Sequence, residues 1–128
     1  MHSVVLDASV LMTLLNQEPG AERLSPKILA RSVASTINLA EVQSKLVACG
    51  VPPDNAWTAT LSAVNEAVTF SGQHAKTAGT LIAETRVLGL SLGDRACLAL
   101  AIELKAPVYT ADRSWQKLKL GIRIHVIR

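Results

Sequence analysis

Four acidic residues, Asp7, Glu41, Asp94 and Asp112, stand in the segments VVLDASVL, STINLAEV, LSLGDRACLALA and VYTADRSW. The chain holds only ten carboxylates, and these four have apolar or small neighbours where a surface acid usually sits among polar ones. Carboxylates gathered by a fold repel one another, and oxygen ligands suit hard cations such as Mg2+ or Mn2+. Metal-dependent phosphodiester chemistry is therefore the leading expectation. Ser9 and Thr110 each lie two residues from one of the acids, within reach of a carboxylate or a bound water. Ser9 is read as a local hydrogen-bonding residue and not as a nucleophile, because no His stands in a recognisable pattern with it.

Each acid also has a plainer role. Asp7, Asp94 and Asp112 can cap the helix or turn that follows. Glu41 shares a helical stripe with Asn38 and Lys45, and an i, i+4 pair with Lys45 on a solvent face is worth only about 0.3–0.5 kcal/mol. Lys45, Arg95 and Arg113 are candidates for phosphate contacts. Arg95 and Arg113 have a positional reason, since each adjoins an acid.

The elements that must position these residues follow from periodicity. Ser3 to Leu6 is a continuous apolar run ending at Asp7, as in a buried strand. Ala8 to Leu15 reads as a helix stopped near Pro19 and Gly20, and Ala21 to Arg31 as a second. Val33 lies in a short strand. Ser35 or Thr36 then caps a helix running to about Cys49, with Leu39, Val42, Leu46 and Cys49 inward. Asp54 is expected to cap the next helix, with Trp57, Leu61 and Val64 inward. Val68 to Phe70 reads as a strand and Gly72 to Leu88 as one helix. Asp94 is expected to start a helix that buries Cys97, Leu98, Ala101, Ile102 and Leu104. Pro107 to Thr110 and Ile122 to Ile127 are the last strands, separated by a helical turn over Asp112 to Lys117. Short strands alternating with helices predict an α/β fold of three layers, α/β/α, around a mainly parallel sheet. In such folds sites form beyond the carboxyl ends of strands, where Asp7 and Asp112 fall.

Composition narrows the class. At 128 residues the chain is expected to be one domain, residues 1–128, with a core of Leu, Val, Ile and Ala because aromatics make up only 3%. Six Lys or Arg face a single acid between Lys105 and Arg128, so a positive end lies beside an acidic centre, which suits a polyanion. Cys49 and Cys97 make neither a metal pair nor a disulfide framework; both are read as buried thiols, consistent with a reducing cytoplasm. No stretch reaches about 18 uncharged apolar residues, so no membrane span is expected. The turn after the first strand is DASV, not a Gly-rich dinucleotide fingerprint. His2, His74 and His125 are scattered and read as surface or local structural residues.

The segments VVLDASVLMTLLNQEPG, SVASTINLAEVQSKL and LSLGDRACLALAIELKAPVYTADRSW resemble those of PIN-domain ribonucleases of the VapC toxin type, from toxin–antitoxin pairs. LSLGDRACLALA followed by VYTADRSW is the most specific piece, and the likeness runs over nearly the whole chain. It implies a small α/β/α domain, usually a homodimer, that cuts RNA with Mg2+ or Mn2+, commonly tRNA or ribosomal RNA. It also implies a VapB-like antitoxin partner. By motif, Asp7, Glu41, Asp94 and Asp112 correspond to the four acids of the metal site, while Ser9 and Thr110 correspond to the accompanying hydroxyl residues. Two other functions compete. A phosphatase with an Asp nucleophile fits Asp7 after a strand, although Ser9 stands where an Asp-x-Asp pair needs its second acid. A non-catalytic domain would use the acids to cap helices and to contact a basic partner.

Overall fold

Val4, Val5 and Leu6 are all buried, so this first strand has no solvent face and carries no polar residue before Asp7. In the computed structural model, which describes residues 2–128, it is β1 (Val4–Leu6). The other strands are β2 (Ser32–Ser35), β3 (Glu66–Val68), β4 (Val108–Thr110) and β5 (Ile124–Val126). All pair in parallel, in the order β3-β2-β1-β4-β5. The chain leaves β1 for β2 on one side and later reaches β4 on the other. The carboxyl end of β1 is thus a topological switch point, where open α/β sheets hold their sites.

The helices are α1 (Ala8–Leu15), α2 (Pro26–Leu29), α3 (Thr36–Ala48), α4 (Pro53–Ser62), α5 (Gly72–Thr80), α6 (Ile82–Thr85) and α7 (Leu92–Leu104). Strand alternation divides them between two layers. Val4, Leu6 and Ala34 pack with Val10 and Leu11 of α1 and with Leu39 and Val42 of α3. Val5, Val33 and Val108 face the other way, onto Cys97, Leu98, Leu100 and Ala101 of α7. The three-layer α/β/α expectation holds. Among the described residues no helix is long and apolar enough to cross a membrane.

Several local expectations change. Cys49 is exposed at the C-cap of α3, not buried; only Cys97 is a core thiol. In α4 the inward residues are Ala56 and Thr60, while Trp57 and Leu61 are exposed. Small side chains let α4 lie close to α3 and turn the large ones outward. The helix starts after Pro52, and Asp54 lies in its first turn without capping it. Leu104 is likewise exposed and Ile102 half-buried, because both lie off the α7 face toward the sheet.

The segment expected as one helix over 72–88 divides into α5, α6 and a 3-10 turn, Arg86–Leu88. Its threonines bond back to the preceding turn, Thr80 Oγ1 to Lys76 O at 2.7 Å and Thr85 Oγ1 to Leu81 O at 2.8 Å, which favours such breaks. Similarly, 21–31 resolves into a 3-10 turn, Ala21–Arg23, and α2, because Ser25 caps α2 and Pro26 opens it. The third strand lies two residues earlier than expected: it pairs with β2 through Glu66, Ala67 and Val68, and Phe70 N–H donates to Thr36 Oγ1 at 3.0 Å instead. The last strand is shorter than expected and spans only Ile124–Val126.

Candidate active site

Asp7 ends β1, is 3% exposed and caps α1 through a hydrogen bond from Val10 N–H at 3.1 Å. Two hydroxyls also donate to it. Ser9 Oγ reaches Asp7 Oδ1 at 2.5 Å, and Thr110 Oγ1 reaches Oδ2 at 2.8 Å. Each hydroxyl in turn accepts a backbone N–H from the loop after β4, Ser9 from Ala111 at 3.0 Å and Thr110 from Asp112 at 3.0 Å. Because the amides occupy the hydroxyl lone pairs, both O–H protons are aimed at the carboxylate. Oδ1 then has two donors and Oδ2 one, which leaves acceptor capacity on Oδ2. Burial pushes Asp7 up to about 6 from the usual 3.8; the bonds from Ser9, Thr110 and Val10 oppose this, and the Asp94 charge adds to it.

Asp94 comes from the opposite layer. It does not start α7 as expected. Ser91 is the N-cap, and Asp94 is the third residue of a capping box. Its N–H donates to Ser91 Oγ at 3.1 Å, and its Oδ2 accepts from Ser91 N–H at 3.0 Å. Oδ1 remains unspent.

Glu41, on α3, makes no pair with Lys45, which is exposed. Its Oε1 accepts from Asn38 Nδ2 at 2.8 Å, and the same nitrogen donates to Gly93 O on α7 at 3.0 Å. Asn38 is 1% exposed, so this bridge between layers is buried. Gly93 completes the cradle: a Cβ there would stand 2.5 Å from the Glu41 carboxyl carbon. Reading the sequence alone missed both roles. Asn38 was legible only as part of a helical stripe, and nothing local marks Gly93 as contacting a residue 52 positions away.

Asp7, Asp94 and Glu41 thus come to one end of the sheet, with Cys97 beneath them. Burial first, then the charges of Asp7, Asp94 and Glu41, hold the Cys97 thiol well above its usual range. That keeps it an inert neutral group.

Asp112 is exposed, in the loop after β4. Its Oδ1 accepts from Ser114 N–H at 2.9 Å and Ser114 Oγ at 2.8 Å, capping the 3-10 turn Arg113–Lys117. Its backbone N–H joins the network around Asp7 through Thr110. Trp115 is the fully buried anchor of that turn. Arg95 is half-buried, and its Nη1 donates to Ala78 O at 2.9 Å, which ties α7 to α5. Arg113 is exposed, with Nε donating to Arg128 O at 2.9 Å.

The PIN domain family model matches residues 4–120. The chain belongs to the PIN domain family. No curated protein matches it. Solved structures share the PIN fold. DNA-bound VapBC from Salmonella typhimurium aligns over 100% of both chains at 20% identity and TM-score 0.76. VapBC2 from Rickettsia felis, bound to a promoter DNA fragment, aligns over 98% of both at 21% identity and TM-score 0.73. VapC20 from Mycobacterium tuberculosis, described as a Sarcin-Ricin loop cleaving toxin, aligns over 94% of this chain and 99% of its own at 16% identity and TM-score 0.69.

PIN domains typically use divalent metal ions. The donor chemistry here fits one. The converging groups are carboxylates alone, with spare acceptor capacity on Asp7 Oδ2 and Asp94 Oδ1, and the raised Asp7 pKa reflects a buried anion that lacks a counter-charge. Among the described residues no three His, Cys, Asp or Glu side chains are grouped closely enough to hold a metal ion between them. Mg2+ keeps several waters and takes only one or two carboxylates directly, so a three-ligand group is not required to hold it.

Proposed function

We propose that this PIN domain is a VapC-type toxin, an endoribonuclease that hydrolyses RNA phosphodiester bonds with Mg2+ or Mn2+. The observation that carries the reading is the buried Asp7 carboxylate at the switch point, held by two oriented hydroxyls and close to Asp94 and Glu41. The described activity of VapC20 and the VapBC complexes among the structural neighbours support an RNA target, tRNA or ribosomal RNA, and a VapB-like antitoxin. The nearly complete exposure of Val87, with Leu92 also exposed nearby in the chain, supports a homodimer, whose cover of this apolar surface is checked by sedimentation.

In this reading Asp7, Asp94 and Glu41 hold the ion, directly or through water, and Asp112 lies at the rim. Such an ion supplies charge neutralisation at a phosphoryl oxygen and an activated water. The protein's own part is positional. Ser9 and Thr110 fix the rotamer of Asp7, and their N–H partners couple it to the loop that carries Asp112 and Arg113. Asn38 orients Glu41 against Gly93. Arg113, with its terminal nitrogens free, is placed to meet a phosphate beside the acids, and Lys45 remains an exposed candidate farther along α3. An Asp-nucleophile phosphatase fits less well, since Ser9 stands where an Asp-x-Asp pair needs its second acid.

The test is cleavage of cellular RNA by the purified chain with Mn2+, followed by sequencing of the new ends. Asp7→Asn and Asp94→Asn are each expected to lower the rate at least about a hundredfold while keeping the fold. Cleavage retained by either folded variant overturns the assigned site.

A further inference from the structure

Beyond Arg113, the outer edge of the sheet carries charge and aromatic surface that the acidic site does not use. A groove of about 520 Å3 runs along β5, lined by Arg23, Tyr109, Gln116 and His125 among others. It adjoins a second hollow of about 310 Å3 that shares Arg23, Gln116 and Val126 and adds Arg113 and Arg128. We propose that this groove is an RNA subsite, taking a phosphate between Arg23 and Arg113 and a nucleobase on the His125 ring. The choice of RNA as ligand rests on the reading above.

Three features carry it. First, the cations are free. Glu22 is spent on Gly20 N–H, with both carboxylate oxygens at 3.0 Å, and Glu18 on Arg128 at 3.1 Å. Among the described residues neither Arg23 nor Arg113 makes an ion pair, and both are exposed. Second, both are mounted. Gly20, at φ +106°, lies so close to the end of β5 that a Cβ would stand 2.6 Å from Ile127 O, which fixes the turn bearing Arg23 against that strand. Arg113 is held through Nε by Arg128 O at 2.9 Å, and Arg128 by Thr13 at 3.0 Å and Glu18. Third, Tyr109 and His125, register partners on β4 and β5, stack with ring centroids 4.7 Å apart. Tyr109 is half-buried and His125 exposed, so the stack presents an imidazole to solvent. Aromatic faces of this kind take bases of single strands.

Continuity with the acids gives the direction. Arg113 follows Asp112, whose N–H bonds Thr110 and through it Asp7. A strand leaving the acidic centre meets Arg113 first, then Arg23 and His125. The opposite end of the sheet supplies a control. A hollow lined by His2, Arg31, Lys105 and Arg123 lies before the strands begin, away from the acids.

The experiment uses fluorescence anisotropy of a single-stranded RNA of about 12 nucleotides, long enough to span such a site. The protein is the full chain carrying Asp7→Asn, so that RNA is not cut, titrated at several salt concentrations. Arg23→Gln is expected to weaken binding about fivefold and to lower the slope of log affinity against log salt by about 0.7, the value for one lost phosphate contact. His125→Ala is expected to weaken binding about fivefold with the slope unchanged, since stacking releases no counterion. Arg123→Gln is expected to leave both unchanged. An unchanged slope in Arg23→Gln, or an equal fall in Arg123→Gln, overturns the subsite. Unchanged affinity in His125→Ala overturns its base-stacking half. RNA cleavage by the parent chain with Mn2+ is measured separately: if it persists while the groove variants bind normally, the subsite falls and the ribonuclease reading stands.

Discussion

At the scale of the residue, Asp7 is where stability and function pull apart. Its carboxylate is buried, and its pKa stands at about 6 against 3.8 when unhindered. Between these values the folded chain binds more protons than the unfolded one. The protonated form therefore contributes stability that is fully present below about pH 4 and is lost as pH rises through about 6. The cost in the metal-free chain approaches about 3 kcal/mol at neutral pH, by conversion of the shift. Asp7→Asn removes the charge and keeps the shape. In EDTA, the variant is expected to be more stable than its parent by up to about 3 kcal/mol near pH 8, with the difference vanishing near pH 4. Urea unfolding across that range checks it, and a parent that outlasts the variant at the higher pH contradicts the burial argument. The sequence announced this residue clearly, because an acid directly after three apolar strand residues has few plain explanations. Glu41 was less legible: its partner Asn38 is one turn away, but the Gly93 that confines it lies on another layer.

At the scale of the element, α3 and α7 meet over the strand ends because Asn38 and Gly93 allow it. A methyl group at Gly93 would overlap the Glu41 carboxyl group, whereas Gly79 on α5 has nothing within 4 Å of its would-be Cβ. Both glycines sit in helices, where Ala is favoured by up to about 1 kcal/mol. Gly79→Ala is accordingly expected to raise the melting temperature and leave cleavage unchanged. Gly93→Ala is expected to cut cleavage at least about tenfold while stability changes by no more than about 1 kcal/mol, since Glu41 must swing away but the Ser91–Asp94 cap persists. Melting curves alongside cleavage rates separate the two, and full activity in Gly93→Ala would remove Glu41 from the site. Helices with strong periodic faces, α3 and α7, were readable from sequence. The breaks near Leu81 and Ser25, and the one-residue rotation that turns Trp57 outward, were not. They depend on side-chain bonds to the backbone and on how closely α4 approaches α3, neither of which periodicity encodes.

At the scale of the whole molecule, the sheet order explains why acids far apart in sequence share one end. Parallel strands put every carboxyl end on one side, so Asp7 after β1, the loop after β4 and the helix after β2 converge without any local signal linking them. That alternation of strand and helix was visible in the sequence. The edge strands were placed less well, because β3 is mostly exposed and β5 only half-buried, which leaves too little apolar pattern to fix their limits. The same convergence stores repulsion in the apo chain. Mg2+ or Mn2+ is therefore expected to stabilise the fold, by about 2.7 kcal/mol at a hundredfold excess over the dissociation constant if the unfolded chain binds none. The gain should shrink as pH falls through about 6, since the ion must then displace a proton from Asp7. In Asp7→Asn the gain should be smaller, and its dependence on pH in this window should be lost. Thermal unfolding with and without Mn2+, at pH values on either side of 6, reads both effects. A metal-induced shift of equal size at every pH in the parent chain would mean that Asp7 is not among the groups that hold the ion.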